Sequence, residues 1–204
     1  MRNEREGANM KESLYQSLNA YKPWNEQEEK DRVVILNFIR QYDNCLLRDN
    51  EIAHITSSAW IVNKERTKVL MVYHNLYDSW AWTGGHADGD SDLLKVAIKE
   101  AREETGIVSI APVTEEIFSI ETLCVNGHVK RGCYVPSHLH LNVTYLLEGD
   151  EMERLKVKAD ENSGVQWVNM SECLTITSEI WMRGIYDKLN QKLSLYERQT
   201  GGRL

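Results

Sequence analysis

The sequence predicts an α/β domain with an N-terminal helical extension, and three observations carry that expectation. Strand-like and helical runs are interspersed along the chain rather than segregated. Two β-rich runs, Ala59-Trp60-Ile61-Val62 and Val69-Leu70-Met71-Val72-Tyr73, flank a polar turn and read as a hairpin. Further on, Leu94, Ala97, Ile98 and Ala101 recur at i, i+3, i+4 and i+7, so one stripe of a helix faces a core before Gly106 ends it.

In chain order, residues 1 to about 22 are polar, with Leu14, Tyr15 and Leu18 spaced for a short amphipathic helix. Asn25 then precedes Glu26, Glu28 and Glu29, acidic residues suited to the positive end of a helix from about 25 to 43. The hairpin follows, then an aromatic loop (Tyr77, Trp80, Trp82) closing on Gly84-Gly85 and an acidic turn before the helix that carries Leu94 to Ala101. Strand-like runs continue at Ile117–Val125 and Gly132–Val135 around the turn signal Asn126-Gly127, then at Leu139–Leu147 and Gly164–Val168. A last amphipathic helix, roughly 177 to 197, carries Ile180, Trp181, Ile185, Leu189 and Leu193. The expected organisation is a helical extension over 1–50, a domain over 51–175, and a C-terminal helix over 176–204. That helix packs on the domain or on a partner subunit, which would make the protein a homodimer.

Composition narrows the function. Among 204 residues, 24 basic against 31 acidic side chains give a formal charge of −7, the wrong sign for a binder of nucleic-acid polymers. A hydrophobic fraction of 42% argues against disorder. No stretch approaches the ~18 uninterrupted apolar residues of a membrane span, and the first thirty residues hold no apolar leader core, so the expectation is a cytoplasmic protein without membrane association. Four cysteines without a close Cys-x-x-Cys pair read as reduced thiols.

Glu100, Glu103 and Glu104 stand at i, i+3 and i+4, so three carboxylates converge on one helix face and repel one another. A hard divalent cation that takes carboxylates, waters and phosphates together would neutralise them; a solvated acidic face is the alternative reading. Context favours the cation. From Gly85 the chain runs Gly85-x5-Ser91-x7-Lys99-Glu100-Ala101-x-Glu103-Glu104-x-Gly106-Ile107, which resembles the Nudix box, G-x5-E-x7-R-E-U-x-E-E-x-G-U with U a bulky aliphatic residue. The hairpin before the box, Trp82-Thr83-Gly84-Gly85, and Gly164-Val165-Gln166-Trp167-Val168 also look like the layout of this family, over about residues 52 to 175.

The resemblance implies a Nudix-type α/β/α sandwich on a mixed sheet and a metal-dependent hydrolase. Its members cleave a diphosphate linked to another moiety with Mg²⁺ or Mn²⁺. It implies Glu103 and Glu104 as metal ligands, Glu100 as ligand or general base, the Gly85 carbonyl as a further ligand, and a remote acidic ligand. For the last, Glu161 is chosen over Asp160. Lys99 takes the place of an arginine that orients a catalytic glutamate, keeping its charge without the planar fork. Ser91 replaces a glutamate, for which Asp90 or Asp92 could compensate. The expected substrate is a nucleoside diphosphate linked to a sugar or nucleotide, with a damaged nucleoside triphosphate as alternative. Two other readings of the fold stay open: a non-catalytic ligand-sensing module, and an isoprenyl-diphosphate isomerase, disfavoured because no cysteine lies beside the box.

Outside the box, His128, Lys130 and Arg131 surround a turn and could clasp a diphosphate, or form a solvated hairpin tip. His138, His140 and Asn142 share one strand face, which suggests polar substrate contact or solvent exposure; the spacing matches no structural zinc pattern. Trp80 and Trp82 share strand parity and are candidates for stacking on substrate.

Overall fold

The computed structural model describes residues 2–130 and 132–201, with side chains from residue 11 onward. The elements are α1 (Arg2–Ala20), α2 (Glu26–Gln41), β1 (Ala53–Val62), β2 (Lys68–His74), β3 (Ser79–Ala81), β4 (Thr83–His86), α3 (Leu93–Thr105), β5 (Ile110–Pro112), β6 (Ser119–Val125), β7 (His128–Lys130), β8 (Cys133–Val135), β9 (His138–Gly149), β10 (Asn162–Asn169), α4 (Cys173–Ile176) and α5 (Ile180–Thr200). The fold is the mixed α/β one expected, with the N-terminal helices present. Strand order in the main sheet is β10-β2-β1-β9-β5, with β3 on β2, β4 on β1 and β6 on β9; β7 and β8 form a separate hairpin. Cα clustering divides the chain into two compact units. Unit 1 holds the chain up to Ser58 with Gly84–Ala97 and Glu115–Tyr145; unit 2 holds Ala59–Thr83, Ile98–Thr114 and the chain from Leu146.

Unit 1 begins with α1 and α2, whose apolar residues Leu14, Leu18, Ile35, Phe38 and Ile39 are buried. Helices of this length owe their stability in water to such packing more than to propensity. Asn25 caps α2 through its side chain, which accepts from the Glu28 amide at 3.0 Å. Against β6, Asp31 accepts from the Thr122 amide at 3.0 Å. The buried Glu28 accepts from the Tyr21 hydroxyl at 2.6 Å, the Trp24 amide at 2.7 Å and the Ser119 hydroxyl at 2.8 Å. β6 pairs antiparallel with β9 from Ser119↔Thr144 to Val125↔His138. The β9 face expected to meet solvent or substrate is instead buried at Asn142. Its amide accepts from Thr56 and Ser58 at 3.0 and 2.9 Å and donates to Glu121 at 3.1 Å.

In unit 2, β10 pairs antiparallel along the length of β2, and β3 pairs antiparallel with Val72, Tyr73 and His74 of β2. Trp60 stacks on Tyr186 of α5 at 5.2 Å between centroids, so α5 packs on its own unit. The buried apolar stripe of α5 is Met182, Tyr186, Leu189 and Leu193, at i, i+4, i+7 and i+11; Ile180 and Trp181, expected on that face, fall off this stripe and are exposed. A similar shift of phase occurs in α3: Leu93, Val96, Ala97 and Ala101 are buried, while Leu94 and Ile98 are half-buried. Cys45 and Cys173 are buried, Cys124 and Cys133 exposed, and all four are free. No helix among the described residues is long and apolar enough to cross a membrane.

Candidate active site

Helix α3 starts where two aspartates turn the chain. Asp90 accepts from the Asp92 amide at 3.0 Å, Asp92 from the Lys95 amide at 3.1 Å, and Asp90 pairs with the Lys95 ammonium at 2.8 Å. The two candidates to replace the carboxylate missing at Ser91 are thus engaged in starting the helix. At the other end Gly106 takes φ +72° and returns its amide to the Arg102 carbonyl at 2.9 Å. A Cβ on Gly106 would stand 2.9 Å from the Lys156 Cβ, and the Lys156 amide donates to the Thr105 carbonyl at 2.7 Å. Gly106 therefore lets the 156–162 loop lie on the end of α3. Gly106→Ala is expected to lower unfolding free energy by about 2 kcal/mol, from left-handed strain plus the clash, read by urea denaturation.

That loop completes the carboxylate cluster. Glu100 is largely buried, Glu103 is exposed and Glu104 is buried. The Lys99 ammonium lies 3.1 Å from Glu100 Oε1 and 3.6 Å from Glu103 Oε1. From the loop, the Lys158 ammonium lies 3.3 Å from Glu103 Oε2 and 3.0 Å from Glu161 Oε2. Asn162 fixes the loop by donating to the Glu104 carbonyl at 2.9 Å. The hydrogen bond and charge of Glu100 hold Lys99 above the usual lysine pKa. Burial pulls Lys158 down, but Glu161 and Glu103 more than offset it, so it too stays charged at neutral pH.

Ion pairs thus link Lys99, Glu100 and Glu103 of α3 to Glu161 through Lys158, which the sequence reading missed, while Glu104 meets the loop through its backbone carbonyl. The available signal was Lys158 at i, i+3 from Glu161. Carboxylate oxygens are the donors that a hard divalent ion such as Mg²⁺ or Mn²⁺ takes, although among the described residues no three of these carboxylates bring their oxygens within 4.8 Å of one another, the lysines standing between them. Lys158→Met removes a cation that competes for Glu103 and Glu161, and is expected to lower the half-saturating Mg²⁺ concentration several-fold in a titration of activity.

Other expected site residues are placed elsewhere. Gly85 sits half-buried in β4, within unit 1. The close backbone approach falls at Gly84, where a Cβ would meet Ser58 Oγ at 2.4 Å and the Ser57 carbonyl at 2.8 Å. Trp82 belongs to the core: it is buried, its ring meets Tyr186 edge-on at 5.7 Å and its amide donates to the Tyr186 hydroxyl at 3.2 Å. No ring face is left there for substrate. Trp80 is half-buried, edge-on to Tyr73 at 5.5 Å and against Gly164. His128 and Lys130 lie on the small hairpin of unit 1, His128 in contact with the Asn126 carbonyl at 3.0 Å; Arg131 lies outside the described residues.

The NUDIX domain family model matches residues 53–189. No curated protein matches the chain in sequence. In fold the chain is similar to an Ap4A hydrolase of C. elegans in a binary complex (19% identity, TM-score 0.51, 71% of this chain and 98% of that one). It is likewise similar to a MutT protein of Methanosarcina mazei Go1 (17%, 0.52, 70% and 96%), and to the NUDIX domain of Shewanella oneidensis NrtR complexed with ADP ribose (17%, 0.51, 77% and 97%). The chain belongs to the NUDIX domain family. By that family it is a Nudix-type pyrophosphohydrolase.

Proposed function

We propose that this chain hydrolyses the diphosphate of a nucleoside diphosphate linked to a sugar or nucleotide, using Mg²⁺ or Mn²⁺ held by Glu100, Glu103 and Glu104 with Glu161 as the remote ligand. The observation that carries the reading is the chain of ion pairs by which Lys99 and Lys158 join Glu100, Glu103 and Glu161 at one end of α3. Glu100, Glu103, Glu104 and Glu161 would hold the divalent cation, which would screen the charge of the diphosphate and lower the pKa of a bound water so that it could serve as nucleophile near neutral pH. Water adds to one phosphorus and the anhydride bond to the bridging oxygen breaks, giving two phosphate products. Lys99 holds the Glu100 carboxylate in place as a point charge, without the bidentate grip of an arginine. Lys158 keeps Glu161 at the cluster before any cation arrives.

The substrate class accords with a fold shared with an Ap4A hydrolase and with a domain that holds ADP ribose. The deciding experiment is a screen of nucleotide sugars, dinucleotides and nucleoside triphosphates for product with Mg²⁺ and with Mn²⁺. Turnover of a nucleotide sugar or dinucleotide above all triphosphates supports the proposal. Preference for a triphosphate overturns the substrate class, and saturable binding with no product under either metal overturns hydrolysis in favour of a sensing module.

A further inference from the structure

Four histidines from three strands gather in unit 1, distinct in donor chemistry from the box carboxylates; His86 follows Gly85 within the box, and the other three lie outside it. His54 lies on β1, His86 on β4, and His138 and His140, two residues apart and hence on one face, on β9. Ring centroids are 4.9 Å apart for His54–His86, His54–His138 and His86–His140, 5.0 Å for His54–His140 and 5.1 Å for His138–His140. One nitrogen each from His54, His138 and His140 lie within 4.8 Å of one another.

The hydrogen bonds fix which nitrogens face inward. Nδ1 of His54 lies 3.2 Å from the Asn50 carbonyl, and Nδ1 of His138 lies 2.8 Å from the Pro136 carbonyl. A carbonyl only accepts, so both Nδ1 atoms carry the proton and both Nε2 atoms present a lone pair. His54 is 4% exposed and its Nε2 has no hydrogen-bond partner. Leaving such a buried polar atom unmatched is costly. Nε2 of His138 lies 3.2 Å from Nε2 of His140, near the ~3.3 Å edge of a tetrahedron with bonds of 2.0–2.1 Å. A backbone carbonyl on the distal ring nitrogen is also how metal-binding histidines are commonly oriented.

We propose that His54, His138 and His140 bind one divalent transition-metal ion of the zinc type through their ring nitrogens, with His86 as the adjoining fourth ring. The donor set is all imidazole, which selects Zn²⁺, Ni²⁺ or Cu²⁺ over Mg²⁺. An oxyanion is the wrong ligand, since it needs N–H donors or positive charge where His54 and His138 turn lone pairs inward. Burial agrees: it lowers the pKa of His54 and drives that of His140 down to about 2, so both rings are the neutral species that ligates metal. The nearby charge of Arg48 is matched by Asp88, whose Oδ1 lies 2.6 Å from Arg48 Nε. On metal binding His140 moves its proton to Nδ1, and its Nε2 joins the other two lone pairs.

The test titrates the chelator-treated full chain with Zn²⁺ or Co²⁺ in excess Mg²⁺. The expected result is about one equivalent bound, with the visible d–d bands of low-coordinate Co²⁺. His54→Ala combined with His140→Ala should weaken binding at least about a hundredfold, while Glu103→Gln leaves it unchanged. Long-range ¹H–¹⁵N NMR on the unmutated chain makes the result independent of whether the double variant folds: Zn²⁺ should shift the imidazole nitrogens of His54, His138 and His140 and leave those of His128 in place. Unchanged affinity in a folded double variant, loss of the Zn²⁺ site in Glu103→Gln, or unmoved imidazole nitrogens would overturn the proposal. So would pyrophosphate shifting the same nitrogens with no metal present, which assigns the cluster to an anion.

Discussion

Glu103→Gln is expected to lower Mg²⁺-dependent turnover by about two to four orders of magnitude, the range associated with losing a group that acts on the reacting atoms. Glutamine keeps the shape of the side chain and removes the negative charge, so what is lost is affinity for the cation and the field it brings. Folding is expected to be nearly untouched. Glu103 is exposed, and its contacts are the ammonium groups of Lys99 at 3.6 Å and Lys158 at 3.3 Å. Pairs of this kind near the surface contribute up to about 1 kcal/mol. Initial rates over a Mg²⁺ titration, with urea denaturation of both proteins, separate the two effects. Full turnover in a folded Glu103→Gln protein would show that the chemistry resides elsewhere.

Glu28→Ala is expected to do the opposite, costing about 3 kcal/mol of unfolding free energy while leaving the box residues as they are. Glu28 is buried and its carboxylate accepts from Tyr21, Trp24 and Ser119 at 2.6 to 2.8 Å. Hydrogen bonds to a charged group contribute roughly 1.5–3 kcal/mol each and are not additive. One side chain thereby ties the α1–α2 connection to β6. Were the first two helices a loosely appended segment, the substitution would behave as a surface change, within about 0.5 kcal/mol in a urea titration. A drop in the denaturation midpoint with unchanged slope is the outcome that marks those helices as part of the fold.

What the sequence disclosed depended on how local the cause was. Gly106 and the i, i+3, i+4 glutamates are legible because a helix end and a helix face are written in neighbouring residues. The buried stripe of α3 was off by one because Leu93-Leu94 and Ala97-Ile98 are adjacent apolar pairs, giving two equally apolar stripes between which only the packed core chooses. Strands β3, β4, β5 and β7 have three or four residues, too few for an alternating pattern to register. Lys158 reaches Glu103 across 55 positions of sequence, and only the 156–162 loop resting on Gly106 brings them together. Asn142 looked like a surface or ligand-facing residue because its partners, Thr56, Ser58 and Glu121, come from two other strands. The histidine cluster escaped notice for the same reason: periodicity groups His138 with His140 but cannot add His54 or His86.

The two lysines that bracket the glutamates also govern what the metal has to accomplish. Because Lys99 and Lys158 already offset the clustered negative charge, the helix does not depend on a cation to hold its shape. Metal entry becomes an exchange of partners on a finished scaffold rather than a step in building it. In the proposed metal-dependent reaction its free energy would then be available to orient substrate instead of being consumed in folding, and chelation is expected to abolish turnover reversibly, with the protein intact.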